Sequence, residues 1–134
     1  MSLIKWVDFP LLGDDRGSLI ALEQNKEIPF DIKRVYYIFG TKESVHRGFH
    51  AHKKLKQIAV CVAGQCKMIL DDGVDRIEAT LDSPEKGLLI VESVWREMYD
   101  FSPDCVLLVL ASEYFDELDY IRDYQSFLKI TNND

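Results

Sequence analysis

Turn signals recur along most of this chain at the roughly eight-to-twelve-residue spacing of an all-β sandwich or barrel, leaving gaps that suit strands. Asp14-Asp15-Arg16-Gly17 reads as a turn, followed by weak alternation over residues 18–22. Ile28-Pro29-Phe30 bends the chain into a β-rich segment at 33–39, which holds Val35, Tyr36, Tyr37 and Ile38. Further strands are expected at 48–52, 57–62, 66–70, 75–80, 88–91, 95–101 and 106–112. Asp71-Asp72-Gly73 is a strong hairpin signal between two of them. The tail departs from this rhythm. Over 113–128 the residues Phe115, Leu118, Ile121, Tyr124 and Leu128 recur at three- and four-residue steps, which predicts a short C-terminal helix.

With 134 residues and no linker, repeat or low-complexity tract, the chain is read as one domain, 1–134. No apolar run approaches bilayer length, and the first residues lack a basic-then-apolar leader, so a cytoplasmic protein without membrane contact is expected. A net charge of −7 argues against nucleic-acid binding, which needs a surplus of basic side chains. An anionic small molecule remains compatible with it if a few arginines gather locally. Cys61, Cys66 and Cys105 are odd in number, lack CxxC spacing and sit among apolar residues. They read as reduced, buried, small hydrophobes rather than a zinc site.

The chemistry concentrates in His46-Arg47-Gly48-Phe49-His50-Ala51-His52. On a strand, His50 and His52 share a face, where two imidazoles either bind a metal or move protons. The spacing His50, His52, position 57, Gly64 resembles the first motif of the cupins, so the expected fold is an all-β cupin domain, a double-stranded β-helix or jelly-roll barrel. In metal-binding cupins position 57 is glutamate, and a second motif, mapping to 87–97, supplies another histidine. Here those positions hold Gln57 and Arg96. Arginine stays protonated and has no lone pair to donate, so no metal and no other cofactor is expected.

Further segments narrow the resemblance. Asp15-Arg16-Gly17-Ser18-Leu19, Lys33-Arg34-Val35-Tyr36-Tyr37-Ile38, Arg47-Gly48-Phe49-His50-Ala51-His52 and Ile69-Leu70-Asp71-Asp72-Gly73 occur in that order. Val94-Trp95-Arg96-Glu97-Met98 and Asp119-Tyr120-Ile121-Arg122 follow. Together they resemble the dTDP-sugar 3,4-ketoisomerases, metal-free cupins acting on dTDP-4-keto-6-deoxyglucose. The resemblance implies a homodimer that supplies 3-keto sugars for 3-amino-3,6-dideoxyhexoses of bacterial surface glycans. Such an isomerase removes the C3 proton, passes through an enediolate and returns a proton at C4. An imidazole with a near-neutral pKa suits that task. His50 is assigned the proton transfer, His52 the polarisation of an oxygen or relay of hydroxyl protons, and Tyr36 a hydrogen bond to the enediolate.

Arg16, Arg47 and Arg96 are the candidate substrate-binding residues. An arginine fork suits a pyrophosphate, although Arg47 also fits a surface salt bridge. Arg96 is expected to face the interior, its alternative being an ion pair with Glu97 or Asp100. Arg16 either reaches the sugar or phosphate or is an exposed turn residue. Lys33, Arg34, Lys53 and Lys54 read as solvated charge, and Trp95, Phe49 and Tyr37 as core rather than thymine-stacking groups. Two other functions fit the resemblance less well: a dTDP-sugar 3,5-epimerase and a non-catalytic nucleotide-sugar-binding cupin. The sequence leaves the product's C4 configuration open.

Overall fold

A computed structural model describes residues 3–132. The N-terminal part contributes β1 (Lys5–Asp8), β2 (Leu12–Asp14), β3 (Gly17–Leu19), β4 (Arg34–Phe39) and β5 (Arg47–His52). The middle is β6 (Gln57–Ala63), β7 (Cys66–Asp71), β8 (Arg76–Leu81) and β9 (Lys86–Ile90). Then come β10 (Trp95–Tyr99), β11 (Val106–Ala111), a 3-10 turn at Glu117–Asp119, β12 (Tyr120–Ile121) and α1 (Tyr124–Asn132).

The strands form two five-stranded antiparallel sheets, ordered β1-β9-β6-β11-β4 and β12-β5-β10-β7-β8, plus the β2-β3 hairpin. This corrects the expected barrel. The described strands β1, β4, β8 and β12 remain as edges, and no ladder joins one sheet to the other, so the cupin-like domain is an open sandwich. Alternating apolar residues require only that one face of each strand be covered, and two facing sheets meet that need without closure.

The core between the sheets draws Ala59, Cys61, Leu107 and Val109 from one and Met68, Leu70, Leu81 and Met98 from the other. β6 and β11 are covered on both faces, because Ile58, Val60 and Leu110 pack outward against Phe9, Ile28 and Phe30. That explains why β6 reads as a continuous apolar run. Alternation therefore sends Gln57, Ala59 and Cys61 into the sandwich. The three cysteines are free and buried there, with Cys61 Sγ 3.7 Å from both Cys66 Sγ and Cys105 Sγ.

The helix begins later than its periodicity suggested. Asp116 caps the 3-10 turn by accepting from Leu118 N at 3.0 Å, and Phe115 and Leu118 are exposed rather than core. Only from Tyr124 does the apolar spacing become helical, and it anchors Phe127 against Trp95, Ala51 and Ile121 behind β5. Among the described residues no helix is long and apolar enough to cross a membrane.

Candidate active site

β5 carries the two histidines, and a bulge sets their aim. Arg96 pairs with His50 and Glu97 with Gly48, which leaves Phe49 as the extra residue. Gly48 has φ +92° and Phe49 φ +58°. A Cβ on Gly48 would lie 2.9 Å from the Arg96 carbonyl oxygen, so only glycine lets β5 approach β10 this closely. The bulge turns Phe49 out to solvent and brings Gly48 O to 3.1 Å from His50 Nδ1. A carbonyl only accepts, so Nδ1 carries the proton and Nε2 keeps its lone pair.

His52 lies beside His50, ring centroids 4.9 Å apart and nearly perpendicular, and is almost fully buried. Tyr120 closes over both rings, at 5.0 Å from His50 and 4.3 Å from His52. Asp119 Oδ2 stands 3.3 Å from His52 Nδ1 but is not aligned for a hydrogen bond, and among the described residues neither His52 ring nitrogen has a hydrogen-bonding partner. The Asp119 carboxylate is instead fixed by the backbone amides of Lys54 and Leu55.

Burial and the positive charge of Arg96 push His50 down to about 4 and His52 to about 2, so both are neutral across the physiological range. For His50 this lies below the near-neutral value expected from the sequence. Arg96 itself is buried. Its Nη2 donates to Val94 O at 3.1 Å and its Nη1 to Gln57 Oε1. It pairs with neither expected carboxylate: Glu97 is taken by Arg76 and Trp95 Nε1, and Asp100 by Lys67. Burial lowers Arg96 to about 10, which leaves it a cation.

Across the sandwich, Tyr36 on β4 faces the same space, and Gln57 Nε2 donates to its hydroxyl at 3.0 Å. A cleft of about 360 Å³ opens there, lined by Arg34, Tyr36, Ile38, Arg47, Gly48, His50, Met98, Tyr120 and Arg122. Three guanidinium groups border this cleft in a chain of net charge −7, a local excess suited to an anionic ligand. Arg47 forms no ion pair among the described residues, against the surface-salt-bridge alternative.

Arg16 is not brought to this cleft. It is exposed on the β2-β3 hairpin, bound to Asp14 at 2.6 Å. Arg34, read as solvated charge, instead lies over the Tyr36 and Phe115 rings at 5.4 and 5.8 Å, with its Nε buried. Arg122, over the Tyr120 ring at 4.1 Å and bridged to Glu117, received no role from the sequence. The signal was present in Asp119-Tyr120-Ile121-Arg122, but the assumed helix hid its meaning. Of the three aromatic residues assigned to the core, Trp95 is buried, whereas Phe49 and Tyr37 are exposed.

The FdtA (WxcM-like, C-terminal) family model matches residues 2–132. A TDP-4-oxo-6-deoxy-α-D-glucose-3,4-oxoisomerase of Aneurinibacillus thermoaerophilus is 60% identical over 93% of this chain and 90% of its own. A 3,4-ketoisomerase from Helicobacter canadensis superposes with TM-score 0.94 at 48% identity, covering 97% of this chain and 98% of that one. The 3,4-ketoisomerase QdtA of Thermoanaerobacterium thermosaccharolyticum was solved as a histidine-to-asparagine variant with TDP-4-keto-6-deoxyglucose. It gives TM-score 0.94 at 43% identity, over 98% and 95% of the two chains. This chain belongs to the FdtA, WxcM-like family of metal-free cupin dTDP-sugar 3,4-ketoisomerases.

Proposed function

We propose that residues 1–134 act as one catalytic domain. It converts dTDP-4-keto-6-deoxy-D-glucose to a dTDP-3-keto-6-deoxyhexose, for the 3-amino-3,6-dideoxyhexoses of bacterial surface glycans. One observation carries the reading: a neutral His50, its Nδ1 tied to Gly48 O and its Nε2 lone pair free, in an arginine-lined cleft opposite the half-buried Tyr36.

His50 Nε2 takes the C3 proton, and the electron pair moves through C4 onto O4 to give the enediolate. Tyr36 donates to the developing oxyanion, and buried Arg96 supplies a fixed positive field; such pre-aimed electrostatics is usually the largest catalytic contribution. The O3 hydroxyl proton passes to O4 with His52 as relay. The His50 imidazolium then returns its proton to C4, leaving the ketone at C3 and the imidazole neutral. Arg47 holds the diphosphate by its fork, joined by Arg34 and Arg122.

Arg16 keeps its assignment to the sugar or phosphate only if the hairpin is carried to a cleft by association. The outward row Val35, Tyr37 and Phe39 on β4 supports pairing with a second copy of the chain. The odd, unpaired cysteines support a cytoplasmic setting.

The test incubates EDTA-treated protein with dTDP-4-keto-6-deoxyglucose in D2O and follows the sugar protons by NMR. The expected product is a 3-keto sugar, any solvent deuterium entering at C4, with turnover abolished in His50→Asn. Exchange at C5 with the ketone unmoved would instead mark a 3,5-epimerase, and tight dTDP binding without turnover a binding module.

A further inference from the structure

Gln57 occupies the position where a metal-binding cupin would place a carboxylate, and the chemistry above does not use it directly. It is 2% exposed, inside the sandwich between Arg96 and Tyr36. Hydrogen-bond direction settles which end faces which neighbour. A guanidinium only donates, so the atom meeting Arg96 Nη1 is the amide oxygen. The amide nitrogen therefore faces the Tyr36 hydroxyl, as its 3.0 Å contact has it. An amide NH2 only donates, so the phenol oxygen accepts, and its own proton must point elsewhere. Tyr36 makes no other hydrogen bond among the described residues and borders the cleft that holds His50.

We propose that Gln57 is a positioning residue: anchored by Arg96, its amide obliges Tyr36 to present its hydroxyl proton to the substrate oxygen. The proposal rests on the reading of Tyr36 as the donor to the enediolate. Arg96 fixes the amide, the amide fixes the phenol, and the phenol arrives already turned toward the charge that develops. Glutamate at this position would act in the opposite sense. An ionised carboxylate only accepts, so it would keep its contact with Arg96 but take the Tyr36 proton for itself.

Gln57→Glu nearly preserves shape, and that makes a double-mutant cycle decisive. Wild type, Tyr36→Phe, Gln57→Glu and the double variant are assayed with dTDP-4-keto-6-deoxyglucose in EDTA buffer, so that the new carboxylate cannot recruit a metal. Removing one oxyanion donor lowers kcat by about a hundredfold or more, so Tyr36→Phe should do so. Gln57→Glu should lower kcat by a similar factor while KM stays within about threefold. In the Tyr36→Phe background the same change should cost less than about threefold, a coupling of about thirtyfold or more. A coupling below about tenfold, or a Gln57→Glu kcat near wild type, overturns the proposal while Tyr36→Phe remains impaired. Full activity in Tyr36→Phe instead removes the role of Tyr36 itself. Should Gln57→Glu fail to fold, NMR of 15N-labelled protein replaces it. Tyr36→Phe must shift the Gln57 side-chain amide proton by removing its acceptor, and an unmoved resonance overturns the relay.

Discussion

The depressed histidines make stability itself depend on pH in a way that one substitution isolates. Unfolded, His50 has its ordinary value of 6.5; folded, burial and Arg96 hold it at about 4. The unfolded chain therefore binds the proton first as pH falls. The stability from neutral His50 is fully present above pH 6.5, is lost progressively below it, and levels off under the folded value of about 4. At pH 5 the unfolded histidine is almost wholly protonated and the folded one mostly neutral, which lowers wild-type stability by about 2 kcal/mol relative to pH 8. Many carboxylates also titrate in this range, so the raw profile does not identify the residue. Their contribution cancels in the difference between wild type and His50→Asn, because the variant lacks only the imidazole. Urea unfolding of both proteins at pH 8, 6.5 and 5 gives that difference. The variant should gain about 2 kcal/mol on wild type between pH 8 and pH 5, most of it below 6.5. A difference constant to within about 0.5 kcal/mol would refute the argument, since His50 would then have the same proton affinity folded and unfolded.

Gly48→Ala should destabilise the protein by about 2–4 kcal/mol in urea, because alanine is strained at φ +92° and its Cβ meets the Arg96 carbonyl oxygen at 2.9 Å. Its kcat should fall as well, since the His50 tautomer depends on that bulge; unaltered kcat would separate the bulge from catalysis. Arg47→Met should weaken dTDP binding by about tenfold or more, as lost charge-assisted bonds do, and flatten its salt dependence. Calorimetric titration at two salt concentrations reads both effects, and unchanged affinity would show that Arg47 makes no phosphate contact.

The parts of this site legible in the sequence are those set by local pattern. Alternation alone puts His50 and His52 on one face of β5, whereas on β4 it is Tyr36 that turns inward and Tyr37, read as core, that turns outward with Val35 and Phe39. Arg96 was placed in the interior by its position in the motif, and it lies there. Other features depend on partners distant in sequence. Alternation cannot separate a closed barrel from two facing sheets, because it records coverage and not the hydrogen bonding of edge strands. Three- and four-residue steps over 113–128 mimicked a helix where Asp116 caps a 3-10 turn, and this concealed Tyr120 and Arg122 at the cleft. Arg34 reads as a solvated cation until Phe115, a residue far along the chain, folds beside it.

Held at about 4, His50 is by itself poorly suited to the proposed removal of a carbon-bound proton, but the proposed intermediate supplies what it lacks. Raising His50 back to its ordinary 6.5 takes about 3 kcal/mol of favourable interaction with its charged form. A unit negative charge about 4 Å away at an effective dielectric near 20 supplies about 4 kcal/mol. In the proposed mechanism the enediolate is such a charge, and it exists only while the proton is on His50. The imidazolium would therefore be stabilised when the intermediate forms, and would become a strong acid again as C4 is protonated and the charge vanishes. Arg96 would contribute to both phases: its field keeps the imidazoles neutral, and the same field would stabilise the proposed enediolate. A divalent metal in this place would take the lone pairs of His50 and His52 for itself. A buried guanidinium, fixed through Gln57 and Val94, supplies positive charge and leaves the His50 Nε2 lone pair free to carry the proton.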